Sequence, residues 1–249
     1  MTERQWKVFF DIHQGLPREG PGGEQSTRIA FSCIRNIPQR PRILDIGCGS
    51  GAQTVCLAEL SKGEIVAVDI HVPFINQLKE LLEARGLCSV VHPAIADMRN
   101  LEFDNETFDI IWAEGSIFIV GIETGLKDWK PFLRKGGTIA FTESSWLNGD
   151  APIEIRQFWQ KVDPTIGTIE ENIERIEAQG YRFIAQFVLP ESDWWNDYYN
   201  PILKRLPALG EKYKNDAEAV EVLQMAETEI DMYRRYSDYY GYVFYIAEK

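Results

Sequence analysis

A glycine-rich turn directly follows a short apolar run that contains an acid. The sequence from Ile43 to Gly51 reads I-L-D-I-G-C-G-S-G, with Asp45 ahead of three glycines in five residues. Such a run is typical of a buried parallel strand whose backbone must approach a ligand closely at its carboxyl end. The helix that we predict next, from Ala52 to Leu60, would direct its first free N–H groups at that ligand. Because three glycines are costly to order, a turn without a ligand is the weaker interpretation.

The spacing of the glycines separates two classes of ligand. A dinucleotide-binding turn has the pattern G-x-G-x-x-G and holds a pyrophosphate at the helix N-terminus. Here the pattern is G-x-G-x-G, and Asp45 precedes it. A carboxylate at this position repels a pyrophosphate and suits a cationic ligand, so the turn favours a cation.

This stretch resembles the first motif of the class I S-adenosylmethionine-dependent methyltransferases, and it is similar to the motif of the quinone-pathway, small-molecule branch. The cofactor of that family carries a sulfonium and an ammonium group. The resemblance implies a site for S-adenosylmethionine formed by the acid and the turn, namely Asp45, Gly47, Cys48, Gly49 and Gly51.

Further acids follow the next two predicted strands. Asp69 comes after the apolar run Ile65 to Val68 and lies 24 residues beyond Asp45. A carboxylate at the tip of the neighbouring strand can accept hydrogen bonds from two ribose hydroxyls, and the resemblance implies this role for Asp69, with Ile70 beside it. The alternative is an N-cap for the helix that follows. The resemblance also implies that Asp97 and Met98, after a third short strand, bind the adenine.

Two glutamates are candidate general bases because each follows a predicted strand. Glu114 follows the strand from Phe108 to Ala113, where the resemblance implies that substrate and cofactor meet, so Glu114 also counts as a cofactor contact. Glu143 follows the strand predicted from Thr138 to Thr142. A base is needed only if the nucleophile arrives protonated.

The order of the predicted elements between Ile43 and Glu143 is β-α-β-α-β-loop-β-α-β. This alternation predicts an α/β fold with a doubly wound, mostly parallel sheet. The resemblance implies seven strands in a Rossmann-like methyltransferase fold, with an antiparallel edge hairpin formed by Tyr181 to Leu189 and Tyr242 to Ala247. The stretch between those two strands is too long for a bare loop, which predicts a helical insertion.

We therefore divide the chain into two parts. Residues 1–40, the N-terminal cap, contain two predicted helices, from Gln5 to His13 and from Glu24 to Arg35. Residues 41–249 form the predicted methyltransferase domain. Within it, residues 190–240 are the insertion, where the clearest helix runs from Ala217 to Tyr236.

Charge and composition exclude several partners. The formal net charge is −12 and the bases form no cluster, which disfavours nucleic acid and anionic membranes as partners. The four cysteines form no CxxC pair, so neither a disulfide framework nor a metal site is indicated. Free thiols and the lack of a signal peptide or a long apolar run predict a cytoplasmic protein.

Aromatic residues outside the predicted core suggest where a substrate binds. The insertion contains the run D-W-W-N-D-Y-Y, and another tryptophan follows the fifth strand; the candidate substrate-binding residues are Trp146, Trp194, Trp195 and Tyr198. Aromatic faces among carboxylates suit an amine or another cation. The alternative is that these side chains pack a core or a lid, which is the commoner use of large aromatics. The insertion could equally provide a homodimer contact.

Together these observations predict a methyltransferase that uses S-adenosylmethionine and acts on a nitrogen, oxygen or carbon nucleophile of a small molecule. The alternative from another class is a sensor or partner subunit that binds the cofactor without turnover. An RNA or protein methyltransferase and an NAD-dependent oxidoreductase are less favoured.

Overall fold

The computed structural model describes all 249 residues, and one sheet forms its centre. The strands are β1 (Arg42–Ile46), β2 (Glu64–Asp69), β3 (Val91–Ile95), β4 (Phe108–Ala113), β5 (Leu133–Trp146), β6 (Gly167–Thr168), β7 (Arg182–Val188) and β8 (Tyr240–Glu248). Seven of them run in the order β3-β2-β1-β4-β5-β8-β7, and β6 adds two residues beside the end of β5.

Ten α-helices surround the sheet. They are α1 (Glu3–His13), α2 (Glu24–Cys33), α3 (Ala52–Ser61), α4 (Val72–Arg85), α5 (Ile122–Trp129), α6 (Ile153–Val162), α7 (Ile169–Ala178), α8 (Glu191–Trp194), α9 (Asn200–Tyr213) and α10 (Ala217–Tyr236). A π-helical turn, Trp195–Tyr199, joins α8 to α9. None of the helices combines the length and the hydropathy needed to cross a membrane.

The direction of the strands follows from the connections between them. Strands β3, β2, β1, β4 and β5 are parallel because a helix or a long loop returns the chain to the same edge each time. Strand β8 runs antiparallel to both β5 and β7. The predicted doubly wound sheet, its antiparallel edge and the helices within residues 190–240 are confirmed.

Two boundaries differ from those that the sequence predicts. The sequence predicts a helix from Glu123 to Arg134, but α5 ends at Trp129. Strand β5 is fourteen residues long instead of ending at Thr142. The reason is the partner strand: β8 supplies backbone hydrogen bonds as far as the pair Trp146 and Tyr240. Glu143 therefore lies within β5, opposite Val243, and does not follow the strand.

The core consists of three apolar clusters. Two lie on the opposite faces of the sheet, under α3 and α4 on one side and under α5 and α7 on the other. The third has no strand at its centre and joins the cap to the insertion, with Val8 and Ile12 of α1 against Ile202 of α9 and Ile230 of α10. Because these four side chains are almost fully buried, the cap and the insertion share one core.

Candidate functional site

The glycine-rich turn connects β1 to α3 at the carboxyl edge of the parallel strands. Gly47, Gly49 and Gly51 have φ values of 73°, 54° and 96°, a region that favours glycine. Steric overlap also favours glycine here, because a Cβ on Gly47 would overlap with Ser116, and a Cβ on Gly51 would overlap with Leu78. The backbone N–H groups of Gly47 and Cys48 both donate to the Val68 carbonyl, at 2.8 and 3.0 Å. Strand β2 thus holds the turn in place.

Asp45 supports this turn from beneath. The side chain is fully buried and accepts a hydrogen bond of 2.6 Å from Thr54 Oγ1 and one of 3.5 Å from Gln53 Nε2. Both donors lie in the first turn of α3. Burial raises the pKa of Asp45 to about 7. The carboxyl group therefore links strand β1 to helix α3 across the glycine-rich turn.

Asp69 is the last residue of β2 and bonds to the turn from the other side. Its Oδ2 accepts from the N–H of Gly49 at 3.0 Å, and its Oδ1 accepts from the N–H of His71 at 2.8 Å. Helix α4 has His71 at its N-cap and no side-chain cap, so the alternative of a conventional N-cap is not realised. Burial raises the pKa of Asp69. The neighbouring Ile70 is 58% exposed.

The predicted adenine residues lie after β3. Met98 reaches the turn, since its Cε lies 3.4 Å from the position of a Cβ on Gly47. Its carbonyl accepts from Trp129 Nε1 at 3.1 Å. Asp97 Oδ1 accepts from the N–H of Arg99 at 2.9 Å, and the Asp97 side chain is 39% exposed. The structure thus brings Met98 to the turn.

Glu114 follows β4 and is bonded by three donors. Arg18 Nη1 lies 2.8 Å from Oε2, while Thr27 Oγ1 and Trp112 Nε1 lie 2.7 and 2.9 Å from Oε1. The side chains of Arg18 and Glu114 are only 8% and 4% exposed. Because both oxygens already accept from the protein, this carboxylate is better suited to hold the cap than to take a proton from a substrate.

Glu143 lies deeper than the sequence predicts. It accepts from the N–H of Ser144 at 2.8 Å, and burial raises its pKa to about 8. The β5 residue that reaches the loop after β4 is instead Thr142, whose hydroxyl accepts from the N–H of Gly115 at 2.7 Å. Thr142 carries no charge, so no sequence signal identified it.

The cap closes over the glycine-rich turn. Glu19 Oε2 accepts from the N–H of Ser50 at 3.1 Å, and its Oε1 is buried without a partner. Burial raises the pKa of Glu19 to about 7. On the side of Asp69, the ring of Phe10 stacks on His71 at a centroid distance of 3.6 Å, and His71 Nε2 is also buried without a partner.

The insertion holds the cap in this position. Asp193 Oδ2 accepts from Ser26 Oγ at 2.5 Å, and its carbonyl accepts from the N–H of Gly22 at 3.1 Å. A Cβ on Gly23 would overlap with the Asp193 carboxylate. The cap glycines therefore permit a close approach to the insertion, in addition to forming a loop over the site.

The four predicted substrate residues do not line one pocket. Trp194 and Tyr198 are 3% and 7% exposed and belong to the core shared by the cap and the insertion. Trp195 is partly buried and lies under the guanidinium of Arg234, at 5.3 Å. Trp146 lines a separate cavity of about 350 Å³ beside α6. Trp194 and Tyr198 therefore pack within this core, and neither lines the cavity beside Trp146.

The site fits the cofactor implied by the sequence. The turn leaves no room for a side chain at Gly47, and the buried atoms without partners, Glu19 Oε1 and His71 Nε2, lie on its two sides. Buried polar atoms without partners beside a glycine-rich turn suit a ligand with hydroxyl and ammonium groups. The sequence missed Glu19 and His71 because neither belongs to the turn or to a strand end.

Comparisons with known proteins agree with this geometry. A sequence profile described as "Methyltransferase domain" matches residues 43–137. The malonyl-[acyl-carrier protein] O-methyltransferase of Salmonella typhimurium is 31% identical over 141 residues, 56% of this chain and 52% of that protein. Residues 43–137 are therefore a methyltransferase domain. The predicted resemblance to S-adenosylmethionine-dependent methyltransferases is confirmed over this part of the chain, and S-adenosylmethionine is the cofactor that these comparisons support.

Two further relatives show how widely this methyltransferase family varies. Phosphoethanolamine N-methyltransferase 3 of Arabidopsis thaliana is 28% identical over 49% of this chain and 24% of that protein. The ubiquinone/menaquinone biosynthesis C-methyltransferase of Idiomarina loihiensis is 25% identical over 67% of this chain and 66% of that protein. Together with the O-methyltransferase, these names cover three accepting atoms. The chain spans between a quarter and two thirds of the length of these relatives.

The whole fold is shared with solved methyltransferases. A methyltransferase from Geobacter sulfurreducens, solved with S-adenosyl-L-homocysteine, covers 99% of this chain and 98% of its own, with a TM-score of 0.81 and 20% identity. At this identity the similarity supports the fold and does not identify a substrate.

Proposed function

We propose that this protein transfers the methyl group of S-adenosylmethionine to a small-molecule nucleophile. The observation that carries the proposal is the glycine-rich turn, held by Asp45 and Asp69, with the buried, unpartnered atoms of Glu19 and His71 on either side. We propose that the cofactor is held by the predicted residues of the turn and strand ends: Asp45, Gly47, Cys48, Gly49, Gly51, Asp69, Ile70, Asp97 and Met98.

The chemistry resides in the cofactor, whose sulfonium makes the attached methyl group electrophilic. The protein's part is to align the substrate and to exclude water. The closed cap supports water exclusion, since Arg18 and Glu114 form a buried ion pair above the end of β4. Glu114 in this view positions the cap beside the cofactor. Glu143 has a pKa raised by burial and remains the candidate for proton transfer.

A small substrate suits the closed site better than a macromolecule does. The cap and the insertion meet through Ser26 and Asp193, and this contact covers the carboxyl edge of the parallel strands. The net charge of −12 also repels RNA. The division into a cap of residues 1–40 and a domain of residues 41–249 is part of this proposal.

The test is calorimetric titration with S-adenosylmethionine, S-adenosylhomocysteine and NAD. We expect the first two to bind and NAD not to bind. Asp69→Ala should weaken binding at least about tenfold, since a carboxylate that accepts two hydroxyl hydrogen bonds contributes more than 1.4 kcal/mol. Asp128→Ala, at an exposed position on α5, is the control and should leave affinity unchanged.

Turnover is measured separately from binding. Release of S-adenosylhomocysteine with a panel of small amines, phenols and carboxylic acids would establish methyl transfer. Cofactor binding with no release from any member would support the alternative, a sensor or partner subunit. Binding of NAD alone would contradict the proposal.

A further inference from the structure

One carboxylate of the insertion lies among tyrosines and has no cationic partner. Glu229, on α10, accepts a hydrogen bond of 2.9 Å from the hydroxyl of Tyr199, and no Lys, Arg or His forms an ion pair with it. No protein group donates to its second oxygen, Oε2. By contrast, the buried Glu114 is neutralised by Arg18. A partly buried carboxylate with a single hydroxyl partner is poorly compensated for the loss of water.

The surroundings of Glu229 are aromatic. The ring of Tyr199 lies 5.0 Å from that of Tyr198, 5.6 Å from that of Tyr233 and 5.7 Å from that of Trp194. Trp194 in turn stacks on Tyr233 at 4.1 Å. These rings are at least nine-tenths buried, so they form one rigid wall beside the carboxylate.

Two buried polar atoms in the same wall have no partner. They are Trp194 Nε1 and the hydroxyl of Tyr240, whose side chains are 3% and 1% exposed. The rings of Tyr233 and Tyr240 are 5.8 Å apart. Buried polar atoms in native proteins nearly always have a partner, so these two indicate a polar ligand, and the indole N–H requires that the ligand also carries a hydrogen-bond acceptor.

The charge of Glu229 affects the pKa values of the tyrosines in this cluster. Burial and, after it, the Glu229 carboxylate raise the pKa of both Tyr199 and Tyr240. The same two causes act on the pKa of Tyr198, and on that of Tyr242 together with Glu143. Four tyrosines from two segments, the π-helical turn and strand β8, therefore keep their hydroxyl protons at neutral pH.

The cluster is continuous with the proposed site of methyl transfer. Trp194 meets the ring of Tyr242 edge to face at 5.0 Å. The Cε2 atom of Tyr242 lies 3.8 Å from the position of a Cβ on Gly115, in the loop after β4. A line of aromatic rings thus leads from the carboxylate to the residue that follows Glu114.

We propose that Glu229 and its surrounding tyrosine and tryptophan rings form the site for the positively charged group of a small organic ammonium substrate. The proposal rests on the proposed function and narrows its substrate class. An ammonium group provides the missing counter-charge, and its alkyl groups gain cation–π attraction from the rings. A neutral ligand would leave the carboxylate unpaired, and an anionic ligand would be repelled.

The experiment uses two probes of equal shape and different charge. Choline chloride and 3,3-dimethylbutan-1-ol, its neutral isostere, are titrated calorimetrically into the full-length protein, with and without saturating S-adenosylhomocysteine. We expect choline to bind and the neutral alcohol to bind at least about tenfold more weakly, because one desolvated charge contact is worth more than 1.4 kcal/mol.

Three variants locate the effect. Glu229→Gln should weaken choline binding at least about tenfold and leave the affinity for the neutral alcohol unchanged. Glu227→Gln removes an exposed charge from the same helix and should change neither affinity. Tyr199→Phe keeps the ring but removes the hydroxyl that holds the carboxylate, so choline binding should fall about threefold.

Each outcome separates this proposal from the proposed function. If S-adenosylhomocysteine does not bind, the proposed function fails, and choline titration of the protein alone still tests Glu229. Equal binding of choline by the wild type and Glu229→Gln overturns the proposal, and so does absence of choline binding. An unchanged affinity of Glu229→Gln for S-adenosylhomocysteine shows that this variant is folded. If Glu229→Gln no longer binds S-adenosylhomocysteine, the choline affinities of Tyr199→Phe and Glu227→Gln decide whether the proposal holds.

Discussion

The two sides of the site are built over very different sequence distances. On the side proposed to hold the cofactor, called the cofactor side below, Asp69 bonds to Gly49 and Asp45 bonds to Thr54, over 20 and 9 residues. On the covering side, Arg18 bonds to Glu114 over 96 residues and Ser26 bonds to Asp193 over 167. The cofactor side is a motif within one β-α-β unit. The covering side exists only after the whole chain has folded.

This difference in sequence distance indicates which contacts depend on a few neighbouring residues and which depend on distant parts of the chain. A turn that needs positive φ and lacks room for a Cβ depends on its own few residues and the strand beside it. A cap held by an ion pair and a serine-aspartate hydrogen bond can change its partners together, so that the covering side adapts to a new substrate. The four predictions below test this contrast between the two sides.

The largest effect is expected when the buried ion pair of the covering side is broken. Arg18→Ala should lower the free energy of unfolding by about 4 kcal/mol, because Glu114 is left as an uncompensated buried charge. Urea denaturation measures it, and hydrogen exchange should show the cap opening. Arg28→Ala is the control: its pair with Glu24 is exposed, and its loss should cost less than about 1 kcal/mol. Equal losses of stability in Arg18→Ala and Arg28→Ala would show that the buried ion pair does not hold the covering side.

Trp194 distinguishes packing from substrate binding on the same side. Trp194→Ala should lower the free energy of unfolding by about 3 kcal/mol, since the ring is buried and stacked on Tyr233. Trp195→Ala should cost less than about 1 kcal/mol, because its ring is partly exposed beneath Arg234. If Trp194→Ala instead keeps full stability and raises only the substrate KM, the ring serves substrate binding without contributing to the core.

The pH dependence of stability tests the buried acid of β5. The unfolded chain releases the proton of Glu143 near the ordinary value of 4.5, whereas the folded chain releases it near about 8. The unfolded state binds fewer protons throughout this interval, so this group lowers the free energy of unfolding as the pH rises.

Glu143→Gln should remove on the order of 4 kcal/mol of that decline between pH 4.5 and 8, measured by urea denaturation at several pH values. Asp45 and Glu19, whose pKa values are raised to about 7, contribute in the same direction in both proteins. Glu170→Gln, at an exposed position on α7, should keep the wild-type slope. A variant with an unchanged slope would show that Glu143 is ionised in the fold.

The smallest change in stability is expected on the cofactor side, where it coincides with a large change in binding. Gly47→Ala should cost about 2 kcal/mol, from the left-handed backbone and the overlap with Ser116. Gly86→Ala has a similar φ of 68° but open space around it, so it should cost about 1 kcal/mol. Thermal denaturation compares the two. Only Gly47→Ala should abolish binding of S-adenosylhomocysteine; loss of binding in both would indicate general unfolding.

The sequence by itself determined the methyltransferase resemblance, the sheet and the glycine-rich turn. The apolar runs before Asp45 and Asp69 predict buried parallel strands, and the helix from Ala217 to Tyr236 was predicted at its observed bounds. These features depend on local periodicity and on backbone conformations that only certain residues adopt. These features can therefore be predicted without knowledge of the tertiary contacts.

The tertiary structure decided what the acids and aromatics do. It gave Glu114 an arginine partner, placed Glu143 within β5, buried Trp194 and left Glu229 without a cation. The physical reason is that a carboxylate or an aromatic ring has the same local preferences whether it binds a ligand or another part of the chain. Which of the two it meets depends on contacts across a hundred or more residues, and only the folded chain brings those contacts together.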